Sequence, residues 1–183
     1  MRYNSIDKCE CINGTGVGVS LYVQGCSIHC ENCFNPETWD FLGGQDFTAE
    51  TFKKINQFLN HPYITRFSIL GGEPLESCNW KDLYFLISGI KDVNNDIPVW
   101  VYTGYTYKYL QLLLLKGEDE EYSPNEDIYY LDLILNMIDV LVAGPFIDKE
   151  KDKTLPFRGG RNQKIIDMQK TKKMKRVVTL YGS

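Results

Sequence analysis

A chain of 183 residues, 43% hydrophobic and 24% charged, is long enough for one globular domain with a substantial core. Its formal net charge of -4 gives no reason to expect nucleic acid as the main partner. No apolar run at the N-terminus reads as a signal peptide and none elsewhere approaches a membrane span, so a cytoplasmic protein without a membrane partner is expected. Its six cysteines would stay reduced there and act as ligands, reactive groups or small core residues.

The chain begins with a polar segment that carries Cys9 and Cys11, to which no role is assigned. Residues 17 to 23 then alternate Val17, Val19, Leu21 and Val23 with smaller or polar neighbours, the pattern of a strand with one face in the core. Directly after it, residues 25 to 35 hold three of the six cysteines and one of the two histidines. Cys26, Cys30 and Cys33 are spaced C-x3-C-x2-C. Thiolates are soft ligands that select iron-sulfur clusters, zinc or copper(I), and three on one short loop converge on one ion or cluster. Familiar zinc frameworks use two close ligand pairs, and bacterial ferredoxin runs carry a fourth cysteine followed by proline; neither pattern is present. Three thiolates on a four-iron cluster leave one iron without a protein ligand, which makes a place for a small molecule to bind and react. The competing reading is a non-catalytic zinc site that adds His29. That residue is adjacent to Cys30, poorly placed to complete the same tetrahedron, and reads instead as loop packing.

Further along, Thr48 is a candidate cap for a helix with Phe52, Ile55, Phe58 and Leu59 at helical spacing, closed by His61-Pro62. A short apolar strand, residues 66 to 70, runs into Gly71-Gly72-Glu73-Pro74, where two glycines let backbone approach a ligand closely. Residues 79 to 91 follow a helix pattern and 97 to 103 a strand pattern that ends at Gly104-Tyr105; Thr106 then caps a helix through Leu114. Residues 116 to 127 read as a polar solvated loop, followed by a helix to about Asn136, a strand over 138 to 142, and Gly144-Pro145. Segments 164 to 168 and 174 to 180 read as strands or a hairpin. Residues 148 to 183 hold eleven Lys or Arg against four Asp or Glu, a solvated basic face or a docking surface for a protein or reductant.

Strands alternating with helices imply parallel βαβ units, whose functional loops gather at the carboxyl ends of the strands. The loops starting at Cys26, Gly71, Thr103 and Gly144 all follow predicted strands, so they belong at one end of one sheet. A complete eight-stranded barrel takes about 250 residues. This α/β chain therefore builds a partial, open (βα) barrel, whose open side suits a protein substrate that inserts a loop.

The cysteine spacing resembles that of the radical S-adenosylmethionine enzymes, and the fold expected above is then a single domain of that type over residues 1–183. The resemblance implies a [4Fe-4S] cluster on Cys26, Cys30 and Cys33, whose open iron chelates the methionine part of S-adenosylmethionine. Gly71-Gly72-Glu73 resembles the family's GGE motif, which meets the methionine amino group. Asn32 and Phe34 are implied as contacts to the bound nucleoside. Many members have an aromatic residue just before the third cysteine; here Asn32 stands there and Phe34 follows. Cys33-Phe34-Asn35, Val99 to Tyr105, Val140 to Phe146 and Phe157 to Gln163 are similar to the branch that activates anaerobic ribonucleoside-triphosphate reductase. A departure is Ala143, where that branch often has Asp.

The resemblance implies that one electron, from a donor such as a flavodoxin or ferredoxin, cleaves S-adenosylmethionine to a 5′-deoxyadenosyl radical that takes hydrogen from a glycine of the reductase. Such chemistry belongs to the cofactor, so no side chain is assigned as acid, base or nucleophile. The alternative within the family is an activase of pyruvate formate-lyase or another glycyl radical enzyme.

Overall fold

The computed structural model describes residues 1–117 and 126–182. Its strands are β1 (Arg2–Glu10), β2 (Gly18–Val23), β3 (Gln45–Asp46), β4 (Arg66–Gly71), β5 (Val99–Thr103), β6 (Val140–Ala143) and β7 (Lys164–Asp167). Its α-helices are α1 (Ala49–Leu59), α2 (Trp80–Val93), α3 (Tyr107–Gly117), α4 (Glu126–Met137) and α5 (Met168–Met174). The strands form one open sheet in the order β3-β1-β2-β4-β5-β6-β7. Of the polar loop expected over 116–127, residues 118–125 lie outside the described residues.

The four inner strands β2, β4, β5 and β6 are parallel, with α1 in the first crossover, α2 in the second and α3 and α4 in the third. The expectation of parallel strands holds for these four and needs correction at the edges. β1 is antiparallel to β2, β3 to β1, and β7 to β6, so the sheet is mixed. β1 escapes a hydrophobic reading because only Tyr3 and Glu10 along it are buried. Of the two C-terminal segments, 164–168 forms the expected strand β7, whereas 174–180 forms no strand of its own and is separated from it by a helix. Asp167 accepts from Lys170 N at 2.8 Å and caps α5, after which the chain turns back and pairs with β7 through the bridge of Ile166 with Thr179, where Asp167 N donates to Val178 O at 2.9 Å and Leu180 N to Ile165 O at 2.7 Å.

Strand periodicity divides the core. Val19, Leu21, Phe67, Ile69, Val99, Val101 and Leu141 pack in one cluster with Ile55 of α1, Leu83 and Ile87 of α2, Leu110 of α3 and Leu131 of α4. Each such fully buried aliphatic or phenyl side chain contributes about 1.5–3 kcal/mol through removal from water. The alternate residues make a different surface: Trp100, Val140, Val142 and Ile165 pack with Tyr102, Phe157 and Leu180, while Ser20, Arg66 and Ser68 are buried and polar. α1 starts with Thr48, whose hydroxyl accepts from Thr51 N at 3.3 Å while Thr51 returns the contact. Around α5, Lys170, Lys172, Lys173, Lys175 and Arg176 are exposed, so part of the basic excess is a solvated face.

Candidate functional site

The carboxyl ends of the parallel strands open on one cavity of about 580 Å³. Its walls include Cys26, Cys30 and Cys33 from the loop after β2, Gly71 to Glu73 after β4, Thr103 and Gly104 after β5, and Gly144 and Phe146 after β6. All four loops singled out in the sequence are thus brought together. The register explains why: Val23 pairs with Gly71 and Thr103 with Ala143, so neighbouring strands end level.

The cysteine loop is held by backbone. Gly25 N donates to Thr38 O at 2.8 Å and Cys26 N to Trp39 O at 3.2 Å; from the β4 side, Gly72 N donates to Val23 O at 2.9 Å and Glu73 N to Gly25 O at 2.8 Å. Ser27 donates to Glu76 Oε1 through both its amide, at 2.7 Å, and its hydroxyl, at 2.6 Å. Gly71 and Gly72 are required by this packing. Gly71 has φ +108°, and a Cβ on Gly72 would overlap the Gly25 carbonyl oxygen. The close approach expected for a ligand is made here by the chain's own loop.

Cys26 is buried, and Cys30 and Cys33 are partly exposed. Burial pushes the Cys26 and Cys30 thiols up, against backbone hydrogen bonds that lower them. As free groups they are therefore protonated, and binding a metal centre would release their protons. Among the described residues no three His, Cys, Asp or Glu side chains are gathered tightly enough to hold a single metal ion. Cys9, Cys11 and Cys78 are exposed and outside the cavity.

His29, at φ +48°, stacks on Trp39 with ring centroids 4.5 Å apart, the loop-packing role expected of it. Asn32 is exposed, off the cavity wall, and has φ +56°. That left-handed backbone explains the residue type, since Asn tolerates it better than an aromatic side chain. Phe34 does line the cavity, 60% exposed, with its ring 4.9 Å from Phe146 and 5.2 Å from Lys151 Nζ. Glu73 is 1% exposed and ties two loops together. Its Oε1 accepts from Leu75 N and Thr103 Oγ1, each at 2.8 Å, and Oε2 from Gly104 N at 2.7 Å. Burial nevertheless pushes its carboxyl up to about 7.

The stretch 157–163 forms a strap that lines the cavity with Phe157, Arg158, Gly159 and Gln163. Gln163 Oε1 accepts from Gly159 N at 2.8 Å and Gly160 N at 3.1 Å, while its Nε2 donates to Gly144 O at 2.9 Å. Asn162 Nδ2 donates to Pro145 O at 2.8 Å. Sequence reasoning missed the wall residues Asn13, Tyr22, Trp39, Tyr102 and Arg158 as part of the site. Tyr22 and Tyr102 could have been found by following the strand alternation to the face opposite the core. Trp100 is buried and structural, whereas Trp39 is half-buried on the cavity. Trp39 Nε1, Tyr102 OH and Arg158 Nε are buried polar atoms with no partner among the described residues, the kind of group a bound ligand would satisfy.

A family model described as a 4Fe-4S single cluster domain matches residues 12–166, which defines the class as a single-cluster iron-sulfur protein. Curated relatives narrow it. A protein of Enterobacteria phage T4 is 32% identical over 165 residues, 90% of this chain and 93% of its own length. One of Salmonella typhi is 33% identical over 167 residues, and one of Escherichia coli K12 30% over 167; each alignment covers 90% of this chain and 97% of the relative. All three carry the name anaerobic ribonucleoside-triphosphate reductase-activating protein, and this chain belongs to that family.

Proposed function

We propose that this protein is a radical S-adenosylmethionine enzyme that installs a glycyl radical on an anaerobic ribonucleoside-triphosphate reductase. The observation that carries the reading is the convergence of the C-x3-C-x2-C loop and three further strand-end loops on one cavity of about 580 Å³. That volume is typical of a small-molecule site. The relatives' shared name supports the reductase as target, and the single-cluster family supports an iron-sulfur centre.

In this reading Cys26, Cys30 and Cys33 hold a [4Fe-4S] cluster, leaving one iron for S-adenosylmethionine. Gly71, Gly72 and Glu73 form the wall beside the methionine part, and Phe34 shields the nucleoside with Asn32 turning the loop above it. When bound, the cluster and S-adenosylmethionine supply one-electron cleavage to methionine and a carbon radical able to take hydrogen from a peptide glycine. The chain's own part is to bind, orient and exclude water. Phe34, Phe146 and the strap give the cavity an apolar cover. The open sheet is read as part of a (βα) barrel spanning one domain, in a cytoplasmic protein that a flavodoxin or ferredoxin reduces.

The test mixes anaerobically reconstituted protein, dithionite, S-adenosylmethionine and the reductase. The expected result is a glycyl radical signal by electron paramagnetic resonance, with methionine and 5′-deoxyadenosine. A signal on pyruvate formate-lyase and none on the reductase would make the lyase the substrate; a colourless zinc protein would refute the enzyme reading.

A further inference from the structure

Beneath the loops, the inner face of the sheet carries a row of side chains set by register: Tyr22 opposite Leu70, and Tyr102 opposite Val142, itself opposite Ile165. Tyr22 and Tyr102 both line the cavity. Below them lies a buried network in which Arg66 donates to Glu10 Oε1 at 2.8 Å, so the floor has no unmatched charge there. Asn13 Nδ2 donates to Tyr22 OH at 3.1 Å and to Ser20 Oγ at 3.2 Å. Tyr22 OH donates to no acceptor among the described residues, and Tyr102 OH has no partner at all among them. Burial raises both phenols, so they stay O–H donors at neutral pH. The floor thus carries two neutral hydroxyl donors whose hydrogens are unclaimed among the described residues. The same cavity is lined by the cysteines, Glu73 and Gly104, and by Ile12, which is 77% exposed.

We propose that Tyr102, with Tyr22 beside it, binds a main-chain carbonyl of the glycine-bearing loop of the protein substrate from the floor of the cavity. The proposal rests on the activase reading above. A peptide loop drawn into a water-poor cavity brings carbonyls that need donors, and a phenol O–H supplies one without a charge that would favour an anion. Such a contact would orient the glycine loop within the cavity that the cysteines also line.

The experiment compares wild type, Tyr102→Phe and Tyr22→Phe, all loaded with cluster, using a capped peptide that spans the reductase's radical glycine. Removing one donor is expected to weaken peptide binding about three- to tenfold. Radical formed per 5′-deoxyadenosine should fall, while S-adenosylmethionine affinity and cluster absorbance stay unchanged. Equal peptide binding and equal coupling in Tyr102→Phe, with wild type activating the reductase, would overturn the proposal and leave the activase reading intact. Lost S-adenosylmethionine affinity would overturn it by assigning Tyr102 to the cofactor. Wild type that cleaves S-adenosylmethionine, binds no peptide and leaves the reductase silent would overturn both.

Discussion

Arg66 and Glu10 make the sharpest test of the energetics. Arg66 is fully buried and Glu10 is 8% exposed. Both guanidinium NH groups donate to Glu10 Oε1 at 2.8 Å, and further hydrogen bonds run from NH1 to Asn13 O at 2.8 Å and from Nε to Thr15 O at 3.2 Å. Glu10→Leu removes the counter-charge and leaves the cation facing neutral carbonyls in a site that water does not reach. Breaking a buried pair in this way costs about 3–5 kcal/mol. With a urea slope of about 2 kcal/mol per M, the unfolding midpoint of the apo-protein should drop by about 1.5–2.5 M. Replacing both partners removes the stranded charge, so Glu10→Leu/Arg66→Met is expected to recover about 2 kcal/mol of that loss. Urea titrations followed by circular dichroism measure both. A Glu10→Leu variant within about 1 kcal/mol of wild type, or a double variant weaker than it, would refute the reasoning.

Alanine at Cys26, Cys30 or Cys33 is expected to abolish the brown absorbance of the reconstituted protein, and alanine at Cys9, Cys11 or Cys78 to preserve it; visible spectra with iron and sulfide counts decide. Gly72→Val places a branched side chain against Gly25 O and Thr38 O, so it should unseat the cysteine loop and reduce cluster loading, seen as lower iron content at unchanged helical signal. Glu73 has a folded-state value of about 7 against 4.5 for the free group, a raised value. Its contribution to apo-protein stability is therefore full below pH 4.5 and lost as pH rises through 7, and Glu73→Gln should flatten that part of the stability profile.

What could be read from the chain and what could not divide on physical lines. The inner strands and the helices between them announce themselves because strong periodic apolar patterns serve one shared core. The loops at Cys26, Gly71, Thr103 and Gly144 were assigned to one end of the sheet because a parallel topology leaves them nowhere else. β1 stayed hidden, since only Tyr3 and Glu10 along it are buried and the rest of its pattern shows no apolar alternation, while its backbone pairs with β2 and β3. α5 falls almost wholly between the two C-terminal segments read as strands and has no apolar stripe to announce it, since the helix buries only Met168 and Thr171. The Arg66–Glu10 pair joins residues 56 positions apart, and local pattern carries no trace of such a partner. The same holds for Gln163, whose amide clasps Gly144 from the far end of the strap.

The walls around the cysteines come from distant parts of the chain, and this sets an order of events during synthesis. Cys26, Cys30 and Cys33 leave the ribosome early, but Gly71 to Glu73 follow tens of residues later. Phe146 and Gly159, which close against Phe34, come more than a hundred residues after it. Contacts of such long range form late in folding. The thiols of the nascent chain are thus open to solvent, oxidants and stray metal ions until the segment carrying Phe146 and Gly159 has been made, and the metal centre is best loaded onto the finished fold.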